Sequence, residues 1–178
     1  MRKIVLYIAA SLDGFIARPD GNIDWLHDKK YNIPDEDFGY TTFLQTIDTT
    51  LMGNSTYQQI LTFDMPFPYD DKTNYVFSRS GNNQDTEHVT FVHENVVDFM
   101  EKLKEQEGKD IWLIGGGQLN ATILNAGLLD EIILTYIPVI LGKGIPLFSE
   151  EASEHKVKLQ PTENKLYKNG FLQVRYSC

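Results

Sequence analysis

The sequence is poor in cysteine, arginine and long apolar runs. Its one cysteine, Cys178, is the last of 178 residues. That excludes an internal disulfide and a cysteine-based metal site, and nothing points to an oxidising compartment. Arginine stands only at Arg2, Arg18, Arg79 and Arg175, and with lysine it makes 16 cations against 25 Asp plus Glu, a net charge of −9. A chain so acidic, with no local basic cluster, repels phosphate backbones, so nucleic acid is not an expected partner. The longest late apolar run, Ile132 to Leu141, carries Thr135 and Pro138 and falls far short of the ~20 residues of a membrane span. Arg2 and Lys3 precede the apolar stretch Ile4 to Ala10, which has the outline of a short secretory leader. Apolar sequence resumes at Phe15-Ile16-Ala17, however, and so short a run reads better as a buried first strand. A soluble, cytoplasmic protein is expected. His27, His88, His93 and His155 show no metal-ligand spacing, so no metal is expected, and there is no G-x-S-x-G elbow.

What the chain does have is core. Apolar residues make up 42% and aromatics 12%, enough to bury a single domain of this length. No repeat or linker divides the chain, and one domain over residues 1–178 is expected. Lys3–Ala9 is strand-like and ends near an Asp13-Gly14 turn. Tyr40, Phe43, Leu44 and Ile47 fall at i, i+3, i+4, i+7, one face of a helix, with Asp35 after Pro34 as its cap. Strands are predicted at Thr49–Met52, Asn74–Phe77, Val89–Val92, Ile111–Ile114 and Glu131–Pro138. Helices are predicted over Ser55–Leu61, from Val96 towards Gly108, and over Gln118–Asn125 with Gly127 past its end. Asn169-Gly170 between two β-rich halves of the tail signals a hairpin. Strands alternating with helices give an α/β fold: a three-layer α/β/α arrangement around a mixed, mostly parallel sheet, with the hairpin antiparallel.

Ligands of such sheets lie at the carboxyl ends of the strands, and three motifs fall there. Ile114-Gly115-Gly116-Gly117-Gln118-Leu119 runs from a strand through three glycines into a helix. Amides without Cβ atoms in the way, at the positive end of a helix, suit a pyrophosphate. The spacing is neither a Walker loop nor G-x-G-x-x-G. Met52-Gly53-Asn54-Ser55-Thr56 repeats the strand-glycine-helix plan with hydroxyls that can cap a helix or bind phosphate. Ser78-Arg79-Ser80 ends a third strand, and a guanidinium between hydroxyls matches a phosphate monoester.

These motifs, with Ala9, Ile16-Ala17 and the run from Pro138 through Gly142-Lys143-Gly144-Ile145-Pro146-Leu147-Phe148, resemble the dihydrofolate reductase fold. They resemble most the reductase domain of the bifunctional riboflavin-biosynthesis deaminase-reductases and its stand-alone relatives, over about Lys3 to Tyr176. The resemblance implies an NADPH-dependent reductase of a small heterocycle, most like 5-amino-6-(5-phosphoribosylamino)uracil. Dihydrofolate reduction, or a nucleotide-binding module that has lost catalysis, are the alternatives. It implies that Ala9 meets the nicotinamide carboxamide and that Ile16 and Ala17 wall the nicotinamide. Gly53, Asn54, Ser55 and Thr56, with Gly115, Gly116, Gly117, Gln118 and Leu119, would hold the phosphates. Ser78, Arg79 and Ser80 would hold the adenosine ribose and its 2′-phosphate. A cis peptide between two of the three glycines is also implied. Asn54 stands where the family usually has Arg, leaving Arg79 as the main determinant of coenzyme preference. By the same resemblance Asp37 would serve as the pocket acid, Thr135 as its supporting hydroxyl, and Trp25 and Phe38 as pocket walls. A homodimer through the C-terminal hairpin is the implied assembly.

Overall fold

The computed structural model describes residues 1–150, 152 and 159–178. Apolar and β-branched runs form the parallel strands: β1 (Ile4–Ser11), β3 (Ile47–Gly53), β4 (Thr73–Phe77), β5 (Thr90–Val92), β6 (Asp110–Gly115) and β7 (Glu131–Ile137). They pair parallel in the order β5-β4-β3-β6-β1-β7. The hairpin strands β10 (Leu172–Ser177) and β9 (Gln160–Leu166) then continue the sheet antiparallel. Tyr167 N donates to Phe171 O at 2.8 Å to close that hairpin around Asn169-Gly170. A two-stranded ladder, β2 (Phe15–Ala17) with β8 (Ile145–Pro146), stands apart.

Alternation along β1 assigns the layers. Ile4, Leu6 and Ala10 face a core built with Met100 and Leu103 of α3 (Val96–Glu105) and with Leu119 and Ile123 of α4 (Gly117–Asn125). Val5 and Tyr7 face the other way, onto Phe43 of α1 (Tyr40–Thr46) and Trp112. Tyr57 and Ile60 of α2 (Asn54–Ile60) cover Met52 and Val76 on that same side. A period of two in a strand sends successive side chains to opposite layers, so both faces of a central strand must be apolar.

Two expectations are corrected. Ile47 lies in β3, 1% exposed, because a β-branched residue following the helix can bury more by joining the sheet. The cap of α1 comes from Asp37, not Asp35: Asp37 Oδ1 accepts from Gly39 N and Oδ2 from Thr41 N, both at 2.9 Å. Among the described residues no helix is long and apolar enough to cross a membrane, and no group of His, Cys, Asp and Glu is placed to hold a metal ion.

Candidate active site

The turns after β3 and β6 are neighbours. Met52 is in register with Gly115, and a Cβ on Gly53 would stand 3.9 Å from the Gly115 carbonyl oxygen. From these adjacent strand ends the chain leaves to opposite faces, α2 to the α1 side and α4 to the other. Neighbouring connections that part in this way open a crevice at the carboxyl edge, the ligand position of open α/β sheets. The Gly115–Gly116 peptide is cis. A Cβ on Gly116 would lie 3.6 Å from Thr56 Oγ1 and 3.9 Å from Ile16 Cδ1. The glycine turn, α2 and β2 therefore meet at one point. Ser55 and Gln118 are exposed beside it, whereas the Leu119 side chain is in the core, leaving only its backbone for a ligand.

A polar corner adjoins α2. Asn83 Nδ2 donates to Asn54 Oδ1 at 3.1 Å and to Ser78 Oγ at 3.2 Å. Ser78 Oγ also accepts from Ser80 N at 3.2 Å. His93 Nδ1 lies 3.3 Å from the Ser78 carbonyl oxygen, which can only accept, so that nitrogen carries the proton. Arg79 is exposed and makes no hydrogen bond or ion pair among the described residues. The sequence motifs located Ser78, Arg79 and Ser80 but missed Asn83 and His93, which reach the corner only through folding.

Across β1 lies the other half of the site. Ala9 is in register with Thr135, and Thr135 with Gln173. The Thr135 hydroxyl accepts from Gln173 Nε2 at 3.0 Å, and the same amide donates to the Phe38 carbonyl at 3.1 Å. Tyr7 Oη donates to that carbonyl as well, at 3.1 Å, and burial pushes its pKa up to about 12, so it stays a neutral donor. Phe38, at φ +58°, packs edge-on to Tyr167 and against Phe171, in a cluster that holds Ala9 and Trp25. A cleft of about 340 Å³ opens here, lined by Tyr7, Phe38, Thr42, Ile133, Lys165 and Gln173 among others. Thr135 is bonded by Gln173, an unforeseen residue. Asp37 is exposed, and hydrogen bonds from the Thr41 side chain, then from the Thr41 and Gly39 amides, hold its carboxyl below the usual range.

Three buried side-chain atoms lack a hydrogen-bond partner among the described residues: Trp25 Nε1, Asn120 Oδ1 and Ser149 Oγ. Trp25 shares the cluster of Ala9 and Phe38. Asn120 Oδ1 would be 3.3 Å from a Cβ on Gly115. Ser149 N donates to Gly117 O at 3.0 Å. Buried polar groups are rarely left unpaired, at a cost of about 1–3 kcal/mol each.

The fold is that of the dihydrofolate reductases: a dihydrofolate reductase from Enterococcus faecalis superposes with a TM-score of 0.67 at 18% identity, over 98% of this chain and 95% of that one. The chain belongs to the RibD C-terminal domain family, whose model matches residues 2–172. It is 46% identical over 162 residues to the "Uncharacterized protein YwjB" of Bacillus subtilis (strain 168), covering 91% of each chain. The crystal structure of a putative riboflavin biosynthesis protein from Shewanella sp. PV-4 superposes with a TM-score of 0.87 at 30% identity, over 99% of this chain and 98% of that one. A diaminohydroxyphosphoribosylaminopyrimidine deaminase/5-amino-6-(5-phosphoribosylamino)uracil reductase from Thermotoga maritima gives a TM-score of 0.73 at 19% identity. It matches 99% of this chain and 56% of its own length.

Proposed function

We propose that the protein reduces a small heterocycle with NADPH, the substrate resembling 5-amino-6-(5-phosphoribosylamino)uracil. One observation carries the reading: at the crevice, glycine stands where the protein's own packing does not call for it. Gly53 has φ −76° and ψ 156°, values open to any residue, and nothing in the fold comes within 3.9 Å of its missing Cβ. On this reading a ligand lying against the backbone would exclude a side chain there.

NADPH, when bound, supplies the hydride. On this reading the amides of Gly116 to Leu119, at the start of the nine-residue α4, and the hydroxyls of Ser55 and Thr56 hold the diphosphate. Ala9, Ile16 and Ala17 keep the nicotinamide against the end of β1. The substrate ring lies over Thr135 and Phe38 with Trp25 behind; Lys165 and Arg175 line the cleft, paired with Glu36 and with Glu131 and Glu163, so a substrate phosphate would meet them only by displacing those carboxylates.

The experiment is Gly53→Ala, followed by NADPH quenching of tryptophan fluorescence and then by NADPH oxidation with candidate heterocycles. The variant is expected to keep or raise stability, by about 0.4–1 kcal/mol, while coenzyme affinity falls about ten-fold or more. Unchanged affinity would remove the main support for the reading. Binding without turnover on any heterocycle would favour a module that has lost catalysis.

The acid is a separate matter. A carboxyl held low by three hydrogen-bond donors is ionised at neutral pH, so Asp37 offers charge rather than a proton, and the proton for the reduced atom comes from solvent. Asn at position 37 can accept from only one of the two amides. Asp37→Asn is therefore expected to lower the unfolding temperature slightly while leaving the pH profile of turnover unchanged. A wild-type alkaline limb that vanishes in Asp37→Asn would restore Asp37 as the acid.

A further inference from the structure

Residues 138–149 form a strap that touches both ends of the crevice. At its far end the strap is tied to the glycine turn: Ser149 N donates to Gly117 O at 3.0 Å, and Asn120 Nδ2 donates to Leu147 O at 2.8 Å. At its near end it is tied to the β1–β2 turn and to β2. Leu12 N donates to Val139 O at 2.8 Å and Leu147 N to Gly14 O at 2.9 Å. Ile145 and Pro146 pair with Ala17 and Phe15. Gly144 is pressed so closely on the Ala17 carbonyl that a Cβ there would stand 2.2 Å from the oxygen.

One side chain fixes the bend between these ties. Asp13 Oδ2 accepts from Gly142 N at 2.7 Å and Oδ1 from Leu141 N at 3.1 Å. Oδ1 also accepts from the buried Ser11 hydroxyl at 2.6 Å, and Ser11 Oγ accepts in turn from Phe15 N at 2.9 Å. A carboxylate spanning two consecutive amides across a turn is a charge-assisted clamp, stronger than neutral pairs. Nothing else in the β1–β2 turn offers a charge to the strap, and Phe15, the first residue of β2, hangs on the same network.

We infer that Asp13 is a positioning residue: by clamping the Leu141-Gly142 turn it holds β2, and hence Ile16 and Ala17, in place against the nicotinamide. The inference rests on the coenzyme reading above. It separates the two ends of the ligand, because the clamp acts on β2, whereas the glycine turn keeps its own ties through Asn120 and Ser149.

The test compares NADPH with adenosine 2′,5′-bisphosphate, which carries no nicotinamide, by calorimetry on the wild type, Asp13→Asn and Asp13→Ala. Asn cannot accept from both amides. Asp13→Asn is expected to weaken NADPH about ten-fold while the bisphosphate stays within about two-fold. Asp13→Ala is expected to weaken NADPH further, again sparing the bisphosphate, and amide exchange at Leu141 and Gly142 speeds up in both variants. A clamp that served stability alone would move the unfolding temperature and both ligands together, and that result overturns the inference, as does NADPH affinity unmoved in both variants. A wild type that binds neither ligand overturns the coenzyme reading itself, and the inference with it.

Discussion

Gly117→Ala is expected to destabilise the protein by about 2–3 kcal/mol, which lowers the unfolding temperature by about 5–10 °C for a chain of this length. The cause is contact with backbone. A Cβ on Gly117 would stand 2.3 Å from the Pro146 carbonyl oxygen and 3.5 Å from Ser149 N. A flexible side chain could swing aside, but a carbonyl in the β2–β8 ladder cannot, so the strap must retreat as a unit. In retreating it gives up the Ser149–Gly117 hydrogen bond and strains those from Asn120 to Leu147 and from Leu147 to Gly14. With NADPH held as proposed, its binding is expected to fall below detection, since the strap braces both the glycine turn and β2. Gly81→Ala is the control: nothing lies within 4 Å of its missing Cβ, and its unfolding temperature is expected to match the wild type. A Gly117→Ala protein as stable as that control would show that the strap does not press on α4.

The contrast between Gly117 and Gly53 shows what a sequence can disclose. Both stand in strand-glycine-helix junctions, which are local patterns and were legible as such. Which glycine is pressed by the fold and which stands open depends on neighbours that are remote in the chain. The sheet order is the clearest case. The return through α3 inserts β6 between β3 and β1, and only that insertion makes Gly53 and Gly115 adjacent. No periodicity encodes it. The ladder of β2 with β8 escaped for a related reason: three residues pairing with two are too few to show any period.

Ile47 failed differently. Its spacing from Tyr40, Phe43 and Leu44 is helical, but the helix ends at Thr46 and the residue is claimed by the sheet. Asp13, Asn83 and Gln173 are polar residues whose partners lie 128, 29 and 38 positions away, and isolated polar residues carry no signal of what they will meet. Asp37 accepts from the Gly39 and Thr41 amides at the start of α1, contacts that its position in the sequence did not announce.

Arg79→Ala is expected to weaken NADPH binding by about 1.5–3 kcal/mol, roughly ten- to a hundred-fold, and to leave NADH within about two-fold. Asn54 follows the glycine of β3, and its side chain is neutral, with Oδ1 engaged by Asn83. Ser78 Oγ is likewise occupied, by Asn83 and Ser80. The guanidinium of Arg79 has neither a hydrogen bond nor a carboxylate among the described residues, so it meets an incoming phosphate without first breaking an ion pair. Its fork also suits two phosphate oxygens at once. Arg79→Lys keeps the charge but not the fork, and should fall between the wild type and Arg79→Ala. Because the residue is exposed, the titrations belong at one fixed ionic strength, and raising salt should weaken NADPH in the wild type more than in Arg79→Ala. If both coenzymes lose affinity equally, Arg79 meets a group they share, such as the diphosphate, and selection for NADPH has to come from elsewhere in the corner.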